Sequence, residues 1–205
     1  MASKSEIKYP FLYDFLFDGI LKPIRLQNLE IIKKYNCKNI IDLGCGTGSQ
    51  CKIISNNEKK IIGLDNSKKM IDIAKIKKIK NTQFILGDIT KNNFPDKSFD
   101  CIIISLVLHS NNKEQIKIIL NQTRRITKKN GITIITDYDS GFHFIGAIAN
   151  FLIFLIESFA GKSHRKNYYK FMKRGGIEKI LYEEGYDISE SFIFYSGALK
   201  ICVTH

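Results

Sequence analysis

The sequence has little of what marks secreted, zinc-binding or repeat proteins. Its five cysteines are odd in number and include no C-x-x-C pair, so we expect reduced thiols in a cytoplasm, with neither a disulfide framework nor a metal site. The N-terminus lacks a signal-peptide pattern, which also favours a cytoplasmic location. No internal repeat or low-complexity linker divides the 205 residues. We therefore predict a single domain over residues 1–205 that is long enough to bury a sizeable core.

A hydrophobic run long enough to cross a membrane is also missing. Residues 144–160 are nearly all apolar, but they fall short of the roughly 20 residues that a spanning helix needs. Basic and aromatic residues follow at 162–174. We place a helical insertion at 140–175 and keep two interpretations of it. It is either a pair of core helices, or an apolar lid over the substrate cleft that touches a membrane surface beside a basic rim.

Acidic residues are in the minority, since 32 Lys and Arg stand against 20 Asp and Glu and the net charge is +12. A basic surface can favour nucleic acid or an anionic membrane. However, Lys, Ile and Asn dominate the chain, as A/T-rich coding would produce, and the lysines lie mainly on helix faces, as at Lys75 and Lys78. We therefore expect no nucleic-acid partner and keep peripheral membrane contact as an open alternative.

The most informative feature is an apolar run at residues 39–43 that ends in a glycine loop. Asp42 is followed by Gly44, Gly46 and Gly48, and glycines allow positive φ and bring no Cβ between backbone and ligand. The loop leads into a helix, whose N-terminus favours negatively charged groups. A second apolar run ends at Asp65, about 20 residues after the first glycine, where a ribose-binding carboxylate lies in such folds. The pattern predicts a nucleoside-containing cofactor.

The spacing of the glycines distinguishes between cofactors. The dinucleotide fingerprint G-x-G-x-x-G would need glycine at Ser49, so a nicotinamide enzyme is disfavoured. The acid-x-G-x-G-x-G pattern at 42–48 instead resembles the first motif of the class I S-adenosylmethionine methyltransferases. Residues 63–74, 84–89 and 94–105 resemble the second, third and fourth motifs of that family. In their pattern of residues they are most similar to the ubiquinone- and menaquinone-type members of that family, which act on small molecules.

Apolar strands alternating with helical segments favour an α/β fold with a buried parallel sheet. The resemblance implies a Rossmann-like, seven-stranded, mostly parallel sheet with helices on both faces and an antiparallel last strand. The predicted strands are 39–43, 60–64, 82–86, 99–104, 131–137, 188–195 and 198–204. The predicted helices are 10–35, 48–56, 67–78, 113–128 and 176–184. We expect Pro23 to break the first helix, which forms an N-terminal cap over the cleft, and Asn130-Gly131 to form a turn.

The resemblance also implies roles for the cofactor residues. Gly44, Gly46 and Gly48 would present their backbone to the methionine part, while Asp42 would orient the loop and reach the amino group through water. Asp65 would accept hydrogen bonds from both ribose hydroxyls, since its two oxygens match a diol. The remaining predicted cofactor-binding residues are Cys45 as a small filler in the loop, Asn66, Met70 and Ile89 around the adenine, Gly87 and Asp88 with Asp88 accepting from the adenine amino group, and Ser105 beside the sulfonium.

The acceptor side is less defined by the sequence. His109 follows the fourth strand and is our candidate general base for a substrate that carries a proton, while histidines in such positions are more often structural or solvent-facing. We expect the stretch after the fifth strand to line the substrate site, namely Asp137, Tyr138, Asp139 and His143. Tyr13 is a candidate cofactor contact or a core aromatic.

These observations predict an enzyme that transfers a methyl group from S-adenosylmethionine, with S-adenosylhomocysteine as product, to a small apolar acceptor such as a quinone, phenol or lipid amine. Two alternatives stay open: a methyltransferase acting on RNA or protein, and a catalytically silent module that binds the cofactor. The sequence after the fourth strand lacks the Asn/Asp-Pro-Pro-aromatic signature of nucleobase methyltransferases.

Overall fold

The structure, a computed structural model, describes residues 10–139 and 162–205, with side chains described for 18–139 and 164–205. Tyr13, His143 and the proposed lid at 144–160 lie outside the described side chains, so the predictions made for them stay predictions. The division into one domain with an N-terminal cap and an insertion at 140–175 likewise stays a prediction.

The order of elements matches the predicted alternation of strands and helices. The described strands are β1 (Asn39–Leu43), β2 (Lys60–Asp65), β3 (Thr82–Leu86), β4 (Phe99–Ser105), β5 (Thr127–Tyr138), β6 (Ile188–Phe194) and β7 (Leu199–Thr204). The described helices are α1 (Pro10–Lys34), α2 (Ser49–Ile54), α3 (Lys68–Ile76), α4 (Lys113–Ile126), α5 (Lys162–Lys173) and α6 (Gly176–Glu183). Short 3-10 turns lie at Ile89–Lys91, Leu108–Ser110 and Tyr195–Gly197.

The strands form one sheet in the order β3-β2-β1-β4-β5-β7-β6. Strand β7 runs antiparallel to both β5 and β6, while the other pairings are parallel, so the predicted mostly parallel sheet with an antiparallel last strand is confirmed. The central strands are apolar because they are covered on both faces, and Ile40, Ile41 and Ile102 are fully buried. The strand order reverses between β1 and β4, and such a switch point creates a crevice at the carboxyl ends of the strands.

The boundary between α4 and β5 differs from the prediction. Helix α4 already ends at Ile126 and β5 begins at Thr127, so Asn130 and Gly131 lie within a strand and not in a turn. The pairing of β4 with β5 is irregular here, and a Cβ on Gly131 would lie 3.0 Å from the carbonyl oxygens of Phe99 and Asp100. The glycine is therefore explained by the close approach of the neighbouring strand.

The predicted break at Pro23 is also wrong, because α1 continues through this residue to Lys34. A proline inside a helix removes one backbone hydrogen bond. Here the C-terminal part of the helix is held by burial of Ile24, Ile31 and Ile32. Asn28 also donates to the Gln50 side chain of α2 across 3.0 Å in the interior. This packing places the middle of α1 beside the loop after β1.

A buried ion cluster ties three elements together near the end of β5. The Lys200 ammonium of β7 lies 2.6 Å from the Asp139 carboxylate and pairs with Glu178 of α6. Asp139 forms an antiparallel bridge with Gly176 at the start of α6. No helix among the residues that the structure describes has the length and apolarity that crossing a membrane requires.

Candidate active site

A cavity of about 300 Å³ opens at the carboxyl ends of the parallel strands. On one side it is lined by the ends of β1, β2 and β3 and the loops that follow them, together with α1; we call this the β1–β3 half. On the other side it is lined by the ends of β4 and β5, by the loop after β4 and by α5; we call this the β4–β5 half. Its position at the switch point is where ligands bind in open α/β sheets.

The three loop glycines are explained by different features of their surroundings. Gly44 has φ +84°, and a Cβ there would overlap the Val107 side chain from the loop after β4. Gly48 has φ +79°, and a Cβ would lie 2.6 Å from the Phe84 ring. Gly46 has φ +53° and nothing within 4 Å of its Cβ position. Of the three, Gly46 is thus the one that leaves open space for a ligand, while the other two are required by the packing of the protein itself.

The Asp65 carboxylate is held in place by backbone donors. The amide of Gly46 donates to one carboxylate oxygen across 2.9 Å, and the amide of Ser67 donates to the other across 2.8 Å. Burial raises the pKa of Asp65, and these hydrogen bonds oppose the rise. Asp65 lines the cavity, and a carboxylate oxygen can accept more than one hydrogen bond, so Asp65 remains able to accept from hydroxyl groups of a ligand.

Asp42 is the most strongly perturbed acid of the site. It is only 2% exposed, and burial raises its pKa to about 7. The Cys51 thiol donates to it across 3.6 Å and the Arg25 guanidinium also favours its charged form, while the charge of Asp65 opposes ionisation. A cationic group arriving in the cavity would therefore draw Asp42 into its ionised state.

The end of β3 is shaped by a capped 3-10 turn. Asp88 accepts from the amide and the hydroxyl of Thr90 across 2.8 and 2.7 Å, which leaves its second carboxylate oxygen for a ligand. Asn66, Met70 and Ile89 line the same part of the cavity.

Three predicted residues have packing roles in the structure. The Cys45 sulfur lies 2.8 Å from the Cβ position of Gly63, as a filler would, and burial raises the pKa of its thiol well above the usual range. Gly48 and Gly87 do not line the cavity; a Cβ on Gly87 would lie 2.8 Å from Leu64. Their contacts with the cofactor stay predictions.

In the β4–β5 half the structure brings His109 and Asp137 together. The Nδ1 atom of His109 lies 2.7 Å from one Asp137 carboxylate oxygen. The other oxygen accepts from the amides of Leu108 and His109 across 2.9 and 3.2 Å. Both side chains are almost fully buried. A carboxylate in this position holds the hydrogen of the neutral ring on Nδ1 and leaves the basic lone pair on Nε2.

Aromatic rings surround this pair. The Tyr138 ring lies edge-on to His109 with centroids 4.8 Å apart, and the His164 ring of α5 does so at 5.0 Å. The centroids of the Tyr168 and Tyr138 rings lie 4.9 Å apart. Tyr138 and Tyr168 are buried. The β4–β5 half therefore holds two histidines, His109 and His164, among aromatic rings.

Two hydroxyl groups in this half have no hydrogen-bond partner among the described residues. They are Oγ of Ser105, the last residue of β4, and Oγ1 of Thr136 in β5. The two residues are opposite each other in the strand register, and both line the cavity.

The sequence analysis missed several of these residues. Arg25 of α1 lines the cavity, and no motif marks it because it lies in a helix far from the glycine loop. Thr136 was missed because a single threonine in an apolar strand carries no signal. The role of Asp137 is to hold His109, whereas Asp139, which we expected at the substrate site, pairs with Lys200 instead.

The residues around the cavity fit the groups of S-adenosylmethionine. The Asp42 carboxyl, with its raised pKa, matches the ammonium, and the Arg25 guanidinium matches the carboxylate. Asp65, with both oxygens oriented, matches the ribose diol, and Asp88 matches the adenine amino group. The open space at Gly46 lets a ligand lie against the backbone.

Comparison with known proteins agrees with this geometry. Residues 35–176 match the family model described as a methyltransferase domain. A demethylmenaquinone methyltransferase of Thermotoga maritima is 29% identical over 93% of this chain and 88% of its own length. A ubiquinone biosynthesis O-methyltransferase of Pelagibacter ubique is 26% identical over 62% of this chain and 52% of its own length. The chain spans about half the length of several further curated relatives.

The fold is shared with solved methyltransferase structures. A SAM-dependent methyltransferase from Archaeoglobus fulgidus superposes with a TM-score of 0.69 at 16% identity, covering 96% of this chain and 99% of the other.

Proposed function

Because this chain belongs to the methyltransferase domain family and is an S-adenosylmethionine-dependent methyltransferase, we propose that it methylates a small apolar acceptor of the quinone, phenol or lipid-amine kind. The observation that carries this proposal is the β4–β5 half of the cavity, where a buried histidine lies among tyrosine rings. The names of the two relatives given above support an acceptor of the quinone class.

The cofactor, when bound, would supply a methyl group already activated on a sulfonium and ready for in-line transfer to the acceptor. The protein therefore has to position the acceptor and remove its proton. In our proposal His109 takes that proton at Nε2, and Asp137 stabilises the imidazolium that forms, since its carboxylate lies 2.7 Å from Nδ1. The rings of Tyr138 and Tyr168 exclude water from the acceptor, which keeps the electrostatic interactions inside the cavity strong.

The helix that carries His164 supports a second part of the proposal, contact with an anionic membrane surface. Helix α5 exposes Arg165, Lys166, Lys170 and Lys173, and no acid in the described part of the chain pairs with them. Basic residues near an anionic surface contribute about 1 kcal/mol each to binding. Because α5 also lines the cavity, such contact would bring the acceptor site close to molecules dissolved in the membrane.

The test is a transfer assay with methyl-labelled S-adenosylmethionine and an extract of the source cells, followed by partition of the products. We expect label in the organic phase, and far slower labelling when His109→Ala replaces the wild-type protein. Label in acid-precipitable material would instead point to RNA or protein as the acceptor. Label confined to water-soluble small molecules would contradict an apolar acceptor, and cofactor binding without any transfer would favour a silent module.

A further inference from the structure

We propose that the hydroxyl groups of Ser105 and Thr136 together bind one oxygen atom of the acceptor, so that the site selects phenols and hydroquinones over amines and hydrocarbons. This inference rests on the proposed function of the β4–β5 half. It gives a role in acceptor binding to Ser105, which we expected beside the sulfonium, and to Thr136, which no motif marks.

The two hydroxyls come from adjacent strands of the sheet. Ser105 and Thr136 are direct neighbours in the parallel register of β4 and β5. Neighbouring strands lie about 4.8 Å apart, and residues at the same register position point to the same face of the sheet. A single ligand oxygen between the two side chains can therefore accept a hydrogen bond from each.

The two hydroxyls are buried and lack hydrogen-bond partners among the described residues. A buried polar group without a partner is destabilising, and valine or alanine would fill the same space without that cost. Other threonines nearby are satisfied: Thr123 donates to the Ile119 carbonyl across 2.8 Å, and Thr127 donates to the Thr123 carbonyl across 2.7 Å. Among the described side-chain atoms that are buried without a partner, the hydroxyls of Ser105 and Thr136 alone line the cavity.

The two hydroxyls lie in the β4–β5 half of the cavity. The groups that fit the polar parts of the cofactor lie in the β1–β3 half and on α1. Thr136 is two residues before Tyr138 on the same face of β5, and the Tyr138 ring lies 4.8 Å from the His109 ring. The hydroxyl pair is thus on the side of the cavity that holds the proposed base.

Two hydroxyl donors are better suited to an oxygen ligand than to an ammonium. An oxygen with two lone pairs accepts from two hydroxyls at once, and this stabilises the negative charge that develops as a phenol loses its proton to His109. An ammonium ligand would favour a carboxylate that is not already paired. Among the described residues of this half, Asp137 is the acid beside His109, and its two oxygens already bind the His109 ring and the amides of Leu108 and His109.

The experiment compares 1-naphthol with naphthalene, which has the same rings without the oxygen. Binding of each is measured by fluorescence titration to the protein saturated with S-adenosylhomocysteine. We expect 1-naphthol to bind at least tenfold more tightly than naphthalene to the wild-type protein. Thr136→Val and Ser105→Ala should each remove most of that preference, while naphthalene binds equally well or better.

Two control variants separate the hydroxyl from its surroundings. Thr136→Ser keeps the hydroxyl and should keep the preference for 1-naphthol. Thr133→Val lies on the same strand outside the cavity lining, and should leave both ligands unaffected. The inference is overturned when wild-type protein binds both ligands alike, when Thr136→Val weakens both alike, or when that variant weakens S-adenosylhomocysteine instead.

The same variants distinguish this inference from the proposed function. Methyl transfer to an apolar acceptor that is unchanged in Thr136→Val would overturn the hydroxyl pair and leave the function standing. Hydroxyl-dependent binding of 1-naphthol without transfer to any apolar acceptor would support the pair as a binding site and contradict the proposed function.

Discussion

The two halves of the cavity are built in different ways. In the β1–β3 half, ligand-facing groups are backbone amides and carboxylates that follow each strand within a few residues, as Gly46 and Asp65 do. In the β4–β5 half, the functional groups are side chains from β4, β5, the loop between β4 and α4, and helix α5, as in the pairing of His109 with Asp137. Local sequence therefore encodes the first half, whereas tertiary packing assembles the second.

The two halves also differ in the number and pairing of their acidic residues. The β1–β3 half holds three acids whose charges are balanced by backbone donors and by Arg25. The β4–β5 half holds one acid, which is committed to His109. A charged, polar cofactor and an apolar acceptor suit these two environments, and the comparison predicts that variants in one half leave ligand binding in the other half intact.

The largest expected effect comes from His109→Ala. Loss of the base should lower kcat by about 10²–10⁴-fold, the usual range for general acid–base catalysis. Affinity for S-adenosylhomocysteine, measured by calorimetry, should stay within twofold of wild type because His109 lies in the other half. A variant with unchanged kcat across the pH range would assign His109 a structural role.

Asp137→Asn tests how the histidine is held. Asparagine keeps the shape of the side chain but cannot stabilise the imidazolium or hold the ring hydrogen on Nδ1, so kcat should fall about 10²-fold while affinity for S-adenosylhomocysteine stays within twofold of wild type. Steady-state kinetics and calorimetric titration measure the two quantities. A loss of folded protein with kcat per folded molecule unchanged would show that Asp137 serves only the fold.

The next largest effect separates the loop glycines. Gly46→Ala places a Cβ in the open space against which the cofactor would lie, so affinity for S-adenosylmethionine should fall by at least about 1.4 kcal/mol, which is tenfold. Gly44→Ala should destabilise the protein more, because its Cβ overlaps Val107 in addition to the positive φ that both positions share. Thermal unfolding and calorimetric titration of both variants provide the comparison. Equal losses of Tm in both would contradict the assignment of different causes.

An effect that depends on pH is expected from Asp42→Asn. The folded, cofactor-free protein holds a proton on Asp42 up to a pKa of about 7, whereas the unfolded chain loses it near the usual 3.8. Stability should therefore fall as pH rises from about 4 to 7, and Asp42→Asn should raise the free energy of unfolding at pH 8 by roughly 2–4 kcal/mol. Differential scanning calorimetry at pH 4 and pH 8 measures this difference.

The same variant should weaken cofactor binding. Wild-type affinity for S-adenosylmethionine should rise between pH 6 and 7.5 as Asp42 ionises, and Asp42→Asn should bind about tenfold more weakly at pH 7.5 with that dependence removed. A pH-independent affinity in the wild-type protein would contradict the role of Asp42 at the ammonium.

The smallest expected effect concerns the surface beside the β4–β5 half. Lys170→Gln removes one exposed charge from α5 and should lower partition onto vesicles with phosphatidylserine about fivefold, the equivalent of roughly 1 kcal/mol. Lys75→Gln on α3 is a matched control, since it removes an exposed lysine on a helix that leads from the β1–β3 half. Equal losses in both variants would indicate attraction by net charge alone.

Much of the fold could be predicted from the sequence because buried parallel strands are short apolar runs. The failures at Gly131 and Pro23 have a common cause. A glycine in a strand depends on the backbone of Phe99 and Asp100 in another strand, and a proline in a helix depends on the burial of Ile31 and its neighbours. Such information is held by contacts between elements and not by local pattern.

The site shows the same division. Gly46, Asp65 and Asp88 were found because each follows a strand in a recognisable motif. The partner of His109 was not found because Asp137 is 28 residues away in the chain and reaches it only through the pairing of β4 with β5. Thr136 can be recognised as a candidate only in the folded structure, where its buried hydroxyl has no hydrogen-bond partner among the described residues.

The ion cluster of Lys200, Asp139 and Glu178 has a consequence for how this protein can change over evolutionary time. The chain leaves the sheet at Asp139 and meets it again at Gly176, and both positions are fixed by the bridge and the cluster. Adding residues to a flexible loop costs only about 0.6 kcal/mol of loop-closure entropy for each doubling of its length. Changes between these anchors that keep the buried side chains of α5, such as Phe171, can therefore be sampled while the pairing of β5 with β7 stays the same.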